Sequence, residues 1–295
     1  MRKNQLLCAA ASVALACCAT HPGMAQTGNA PRNYAGFDAN QYPGDDQLAT
    51  LHKQFAFTGY WLNNPPGATS NPWAGKREAL ARAGFGFLVA FNGRLDNEIL
   101  AAQKTGKPPA AFARQDAAVA VAAARREGFL AGTIIFLDQE EGGRMLPEQA
   151  AYLLGWTEAV AATVYKPGVY TSGKPVPEED ENGRKITITT IQDIRAQVAA
   201  KHLHPIAFWV YQDACPPAPG CLVDPAKLPA PDVSGTFGAV AWQFAQSPQE
   251  KDITRACSST YSRDGNCYLP GAPPALAHYR LDLSVSTSAD PSHGR

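Results

Sequence analysis

The chain has 295 residues, 45% hydrophobic and 18% charged, and 26 Lys and Arg balance 26 Asp and Glu. That is enough apolar material for one large core or two ordinary ones. The even charge leaves no basic field to hold a phosphate backbone, which excludes nucleic acid as the expected partner, and the apolar runs are too short for a spanning helix in the mature chain.

From the N-terminus, Arg2 and Lys3 precede an apolar run from Leu6 to Cys18, and small residues follow near Gly23-Met24-Ala25. This predicts a secretory signal over residues 1–25, cleaved after Ala25. Ala14-Leu15-Ala16-Cys17 with Cys18 also loosely resembles a bacterial lipoprotein box, so a lipid-anchored form is the minor alternative to a secreted or periplasmic one. Residues 26–33 are polar and predict a flexible lead-in.

Eight apolar runs then recur: "YAGFDANQY", "FAFTGYWLNN", "FGFLVAFNGR", "GTIIFLDQEE", "VYKPGVYTSG", "HPIAFWVYQDA", "FGAVAWQFAQ" and "HYRLDLSVS". Helical stretches separate the early ones. "DDQLATLHKQF" starts acidic, which suits the helix dipole, and "WAGKREALARAG" ends on a capping glycine. "RQDAAVAVAAARREGF" is Ala-rich with basic residues near its end. Pro147 opens "PEQAAYLLGWTEAVAATV" at a favoured first helical position, and "TIQDIRAQVAAKHL" has helical apolar spacing. Alternating β and α elements predict a parallel sheet, and eight repeats in about 250 residues suit a (β/α)₈ barrel. The expected fold is therefore α/β, a single-domain, irregular (β/α)₈ TIM-like barrel over residues 34–285, followed by a disordered tail, 286–295. A doubly wound sheet fits less well, because Asp38 stands in "GFDANQYPG" where a phosphate fingerprint needs glycines.

The insert "SGKPVPEEDENGRKITITT" predicts a hairpin with a type I′ turn at Asn182-Gly183. Residues 213–236 and 245–277 are rich in Pro, Gly, Ser and Cys and carry no clear helix. Three of the seven cysteines lie in the signal; Cys215, Cys221, Cys257 and Cys267 remain, an even number that predicts two disulfides in an exported protein. Of the three pairings, Cys215–Cys221 with Cys257–Cys267 closes short loops. Zinc is disfavoured by the spacing.

In such a barrel the site lies where strands end. Acids, amides and flat rings gather there: Asp38, Tyr42, Trp61, Asn92, Asp138, Glu140, Tyr170, Trp209, Trp242, Gln243 and Asp282. Rings that stack on sugar C–H faces, with amides and acids for the hydroxyls, suggest a carbohydrate cleft in which Trp61, Trp209 and Trp242 stand together. Strand alternation puts Asp138 and Glu140 on one side, about 6.5–7 Å apart along the strand. Such a pair suits acid/base work on an acetal: one carboxyl keeps a proton for the leaving oxygen, and the other stays charged to support an oxocarbenium-like centre. The bland alternative is a salt-bridge cluster with Arg144. No G-x-S-x-G or H-E-x-x-H is present. No cofactor or metal is expected, although a metal on Asp38, Asp138 and Glu140 is conceivable.

In order, "GFDANQYPG", "FLDQEEG", "GVYTSG", "AWQFAQ" and "RLDLS" resemble the family-25 glycoside hydrolases, the Chalaropsis-type lysozymes. They resemble still more the related bacterial glycoside-hydrolase-like domain, the DUF1906 or Rv2525c-like group, over roughly residues 34–285. The resemblance implies a TIM-like barrel and action on peptidoglycan. It implies Asp38 as the first-strand acid, Asp138 and Glu140 as the D-x-E pair with Glu140 the general acid, and Asp282 as the last-strand acid. Tyr170, Trp242 and Gln243 match the family's tyrosine and W-Q positions. Ser284 departs from the asparagine usual in the lysozymes. The expected function is an exported glycoside hydrolase acting on cell-wall polysaccharide, with a non-catalytic glycan-binding barrel as the alternative and a metal-dependent hydrolase third.

Overall fold

The computed structural model describes residues 32–180, 182–212, 228–245 and 281–295. The expected signal, Cys215, Cys221, Cys257 and Cys267 lie outside the described residues.

Each of the eight apolar runs forms a barrel strand: β1 (Tyr34–Asp38), β2 (Phe57–Trp61), β3 (Gly86–Asn92), β4 (Ile134–Asp138), β5 (Lys166–Ser172), β8 (Ala207–Tyr211), β9 (Ala241–Ala245) and β10 (Asp282–Ser286). The insert forms a separate hairpin, β6 (Val176–Glu179) and β7 (Lys185–Ile188). Six helices are described: α1 (Leu48–His52), α2 (Arg77–Arg82), α3 (Asp96–Gln103), α4 (Pro109–Arg126), α5 (Pro147–Ala161) and α6 (Thr190–Ala200). Pro147 opens α5 as expected, and Thr189 caps α6: its Oγ1 accepts from the Gln192 amide while the Gln192 side chain accepts from the Thr189 amide. The short α3 was not expected.

The barrel closes in the order β1-β10-β9-β8-β5-β4-β3-β2. Its neighbouring pairs from β1 to β9 are parallel, but β10 is antiparallel to both β9 and β1. A parallel return needs a crossover, usually a helix, and the segment before β10 shows no helical pattern in sequence; a reversed last strand is the natural outcome. The reversal matters for the site. The first residue of β10, Asp282, now stands at the rim where the other strands end, paired in register with Asp38.

Strand alternation fixes what fills the lumen. Gly36, Phe57 and Gly59 face inward with Asp38, as do Phe136, Gly168, Tyr170 and Trp209 along the paired registers. A Cβ on Gly36 would lie 2.1 Å from the Phe57 ring, so the glycine makes room for that ring. Outside the barrel, Phe37, Phe55, Phe85, Tyr60, Phe87 and Phe129 meet edge to face with centroids 5.2–6.2 Å apart. Burying each such ring contributes about 1.5–3 kcal/mol.

Two expectations are corrected. The insert turn is not a two-residue type I′ turn at Asn182-Gly183: the Gly183 amide donates to the Asp180 carbonyl and the Asp180 amide to the Arg184 carbonyl, so the loop is longer, and Gly183 has φ +72°. Asp180 instead closes a longer loop, its Oδ1 accepting from the Asn182 and Arg184 amides. Nor are residues 286–295 a disordered tail. The Ser292 amide donates to the Phe87 carbonyl, the Ser292 carbonyl accepts from the Ile134 amide, and its buried Oγ accepts from the Val89 amide. Asp290 caps the Phe87 amide, and Arg295 reaches the carbonyls of Gly84 and Phe85. These residues seal the barrel end opposite Asp38.

Candidate active site

Asp38, the last residue of β1, and Asp138, the last of β4, are both buried in the barrel mouth. Gly59 provides the room beside Asp38, since a Cβ there would come within 2.6 Å of the Asp38 Cβ. Burial raises the pKa of Asp38 well above the usual carboxylate range, Asp282 and Glu140 add to the rise, and a hydrogen bond from Gln243 opposes it. Burial also raises that of Asp138, with further contributions from Glu140, Asp38 and Glu141. The four acids Asp38, Asp138, Glu140 and Asp282 thus sit within electrostatic reach at one rim.

Glu140 lies two residues past the end of β4 and is exposed. Arg144 is not its partner. That guanidinium binds Glu178 on the hairpin at 3.0 Å and Asp193 on α6 at 3.3 Å. Asp193 also accepts from the Met145 amide, and Thr190 donates to the Glu141 carbonyl. Tyr211 donates its hydroxyl to the main-chain oxygen of Glu140 itself. The loop carrying Glu140 is therefore pinned by the hairpin, α6 and β8. The hairpin thus anchors the loop that carries Glu140.

The aromatic residues fall into two groups. Tyr170 pairs in register with both Asp138 and Trp209. Its ring lies 4.4 Å from that of Trp209 and 5.5 Å from that of Tyr211. Its pKa is raised by burial and then by the four acids around it. Trp209 is 1% exposed and donates its indole N–H to Ser284 Oγ at 3.1 Å, so it forms a packed layer beneath the acids. Trp61, 5% exposed, ends β2 and donates to the Ala39 carbonyl. Trp242 does not join them. It follows Ala241 and precedes Gln243, which face the lumen, so its ring lies on the outer face, 5.9 Å from Phe244, with its N–H on the Gln212 carbonyl. The expectation that Trp61, Trp209 and Trp242 line one cleft is corrected accordingly.

Gln243 is buried with its hydrogen bonds committed. Nε2 donates to both Asp38 oxygens, at 3.2 and 3.4 Å, and Oε1 accepts from the Tyr170 hydroxyl at 2.8 Å. It acts on Asp38 and is not a lining amide. Asn92 ends β3 opposite Asp138, and its Nδ2 donates to the Asn64 carbonyl, tying two rim loops together. Tyr42 is half-buried beside Trp73, and its hydroxyl donates to Asp45. Tyr211 stands at the rim as its strand-end position implies; Gly59 is a support residue to which the sequence assigned no role, and alternation and strand register are the signals that place it. Among the described residues no group of three or more His, Cys, Asp or Glu side chains is set to hold a metal ion, and no helix is long and apolar enough to cross a membrane.

The family model of the Rv2525c-like, glycoside hydrolase-like domain matches residues 53–217, more than half of the chain. Among solved structures, an uncharacterized B. stearothermophilus protein is similar at 17% identity, covering 86% of this chain and 95% of that one, with a TM-score of 0.49. The Clostridium perfringens spore cortex lytic enzyme SleM is similar at 15% identity, covering 88% and 69%, with a TM-score of 0.49. The Mycobacterium tuberculosis Tat-secreted protein Rv2525c is similar at 11% identity, covering 90% and 98%, with a TM-score of 0.46. A search of curated proteins gave no match.

Proposed function

This chain belongs to the Rv2525c-like, glycoside hydrolase-like domain family, and we propose that it is an exported glycosidase that hydrolyses cell-wall polysaccharide, peptidoglycan above all. One observation carries this: Asp38, Asp138, Glu140 and Asp282 act on one another at a single barrel rim. Burying two carboxyls in one barrel mouth is costly, and a surface that only binds sugar gains nothing from it. A glycosidase does, because it needs one carboxyl protonated and another ionised across the scissile bond.

Glu140, exposed on its pinned loop, is the general acid that protonates the leaving oxygen. Asp38 and Asp282 face the ring carbon and stabilise the positive charge that develops there, and Asp138 holds a 2-acetamido group for attack. Tyr211 keeps the Glu140 main chain in place. Export and the two disulfides belong to the same proposal and rest on the sequence pattern. Peptidoglycan as substrate rests on the motif resemblance.

The test is reducing-end release from purified peptidoglycan and a panel of acetylated glycans, comparing wild type with Glu140→Gln. Loss of turnover by about 10²–10⁴ with glycan affinity retained is expected. Wild-type protein that binds the panel but releases nothing refutes the enzyme; equal release by both removes Glu140 from the mechanism.

A further inference from the structure

We propose that Tyr170 and Gln243 are positioning residues that hold Asp38 as the charged member of its pair with Asp138, leaving the pair's proton on Asp138. The weight of this for catalysis rests on the hydrolase reading above, but its test needs no turnover.

The direction of the chain follows from donor and acceptor chemistry. With Gln243 Nε2 turned to Asp38, its Oε1 faces the Tyr170 hydroxyl, which donates to it. Opposite a charged Asp38, the reverse orientation would set the amide oxygen against two carboxylate oxygens. The Tyr170 ring has little freedom to turn away, because it is packed between Trp209 and Tyr211. Asp38 therefore receives a fixed donor on both oxygens, and hydrogen bonds to the charged form favour that form.

Asp138 has no such support. Its Oδ1 is buried with no hydrogen-bond partner among the described residues. A charged carboxylate with an unsatisfied oxygen in a dry site is far costlier than a neutral acid. The surroundings are otherwise alike. Glu140, from the loop after β4, acts on both; Asp282, on β10, faces Asp38; Glu141 faces Asp138; and Asp38 acts on Asp138. All of these are acidic, so they favour one retained proton without choosing its owner. The Tyr170–Gln243 donor chain makes the choice. A neutral Asp138 donates to a substrate oxygen or acetamido carbonyl, and a charged Asp38 faces the developing cation. The two aspartates are then not interchangeable.

The experiment is carboxyl-carbon NMR of the signal-free chain labelled at aspartate, titrated across the neutral range. Asp38→Asn and Asp138→Asn assign the two signals by their disappearance. Wild type should show Asp38 ionised at a pH where Asp138 is still protonated. Gln243→Leu, close in shape but without donors, should move the Asp38 titration to higher pH. Tyr170→Phe keeps the ring and removes only the hydroxyl; it should move Asp38 in the same direction by less, and it carries the test if Gln243→Leu does not fold. A merely structural role for these two residues leaves the titration in place. A wild-type Asp38 that keeps the proton while Asp138 is charged overturns the proposal. So does an Asp38 titration unmoved in both variants. None of these outcomes depends on whether glycan is cleaved.

Discussion

Replacing Asp138 by Asn should make the protein more stable, and increasingly so as pH rises. Burial and three acidic neighbours raise the Asp138 pKa in the folded state, whereas in the unfolded chain it returns to about 3.9. Below that value both states hold the proton, and the favourable contribution is fully present. Above it the unfolded chain releases the proton while the folded one retains it, so the folded state loses about 1.4 kcal/mol per pH unit until the folded-state proton leaves too. Asn carries no titrating proton and escapes this loss. The amide also brings N–H groups that need partners, but that cost is independent of pH and shifts the whole curve. The slope of the difference is therefore the quantity to read. Urea unfolding followed by tryptophan fluorescence at pH 4, 5, 6, 7 and 8 supplies it. The variant's advantage should be smallest at pH 4 and grow by up to about 1.4 kcal/mol per pH unit wherever only the folded state holds the proton. A difference that stays flat across the series, or that moves against the variant as pH rises, refutes a retained proton at Asp138.

Trp242→Ala should destabilise the fold by about 3–5 kcal/mol while leaving glycan affinity of the surviving protein intact, since the ring packs on the outer face; weakened affinity with normal stability would return Trp242 to the cleft. Ser284→Ala strands the buried indole N–H of Trp209 and should lower unfolding free energy by about 1–3 kcal/mol, measured by urea midpoint. Thiol titration of denatured, unreduced, signal-free protein should find no free cysteine among Cys215, Cys221, Cys257 and Cys267; two or more reactive thiols refute the disulfides.

The barrel was legible because its signal is carried by local apolar runs, each long enough to make one strand. Asp282 was placed at the correct rim even though its strand runs the opposite way, because a short strand reads alike in both directions. Direction depends on the connection before it, which local pattern does not specify. Trp242 and Gln243 were grouped as one motif, yet adjacent strand residues cannot both face the lumen, and that alone would have separated them. Gln243 looked like a ligand amide, since nothing local announces partners on β1 and β5. The last ten residues, "STSADPSHGR", read as disordered from composition. Their order comes from main-chain bonds to residues about two hundred positions earlier, which no window of sequence contains.

The reversed β10 also sets an order of assembly. It joins β9 to β1, and residues 290–295 then lock onto residues 84–89. Until residues 282–295 have emerged, the other seven strands form an open curl with two unpaired edges, β1 and β9, which are templates for pairing with other chains. Contacts at this sequence separation form late and slowly. Amides of β1 should therefore acquire protection from hydrogen exchange after those of β3 and β4 in pulse-labelled refolding, and simultaneous protection would show that closure does not wait for the final strand. A barrel that stays open until β10 pairs is vulnerable to aggregation for longer.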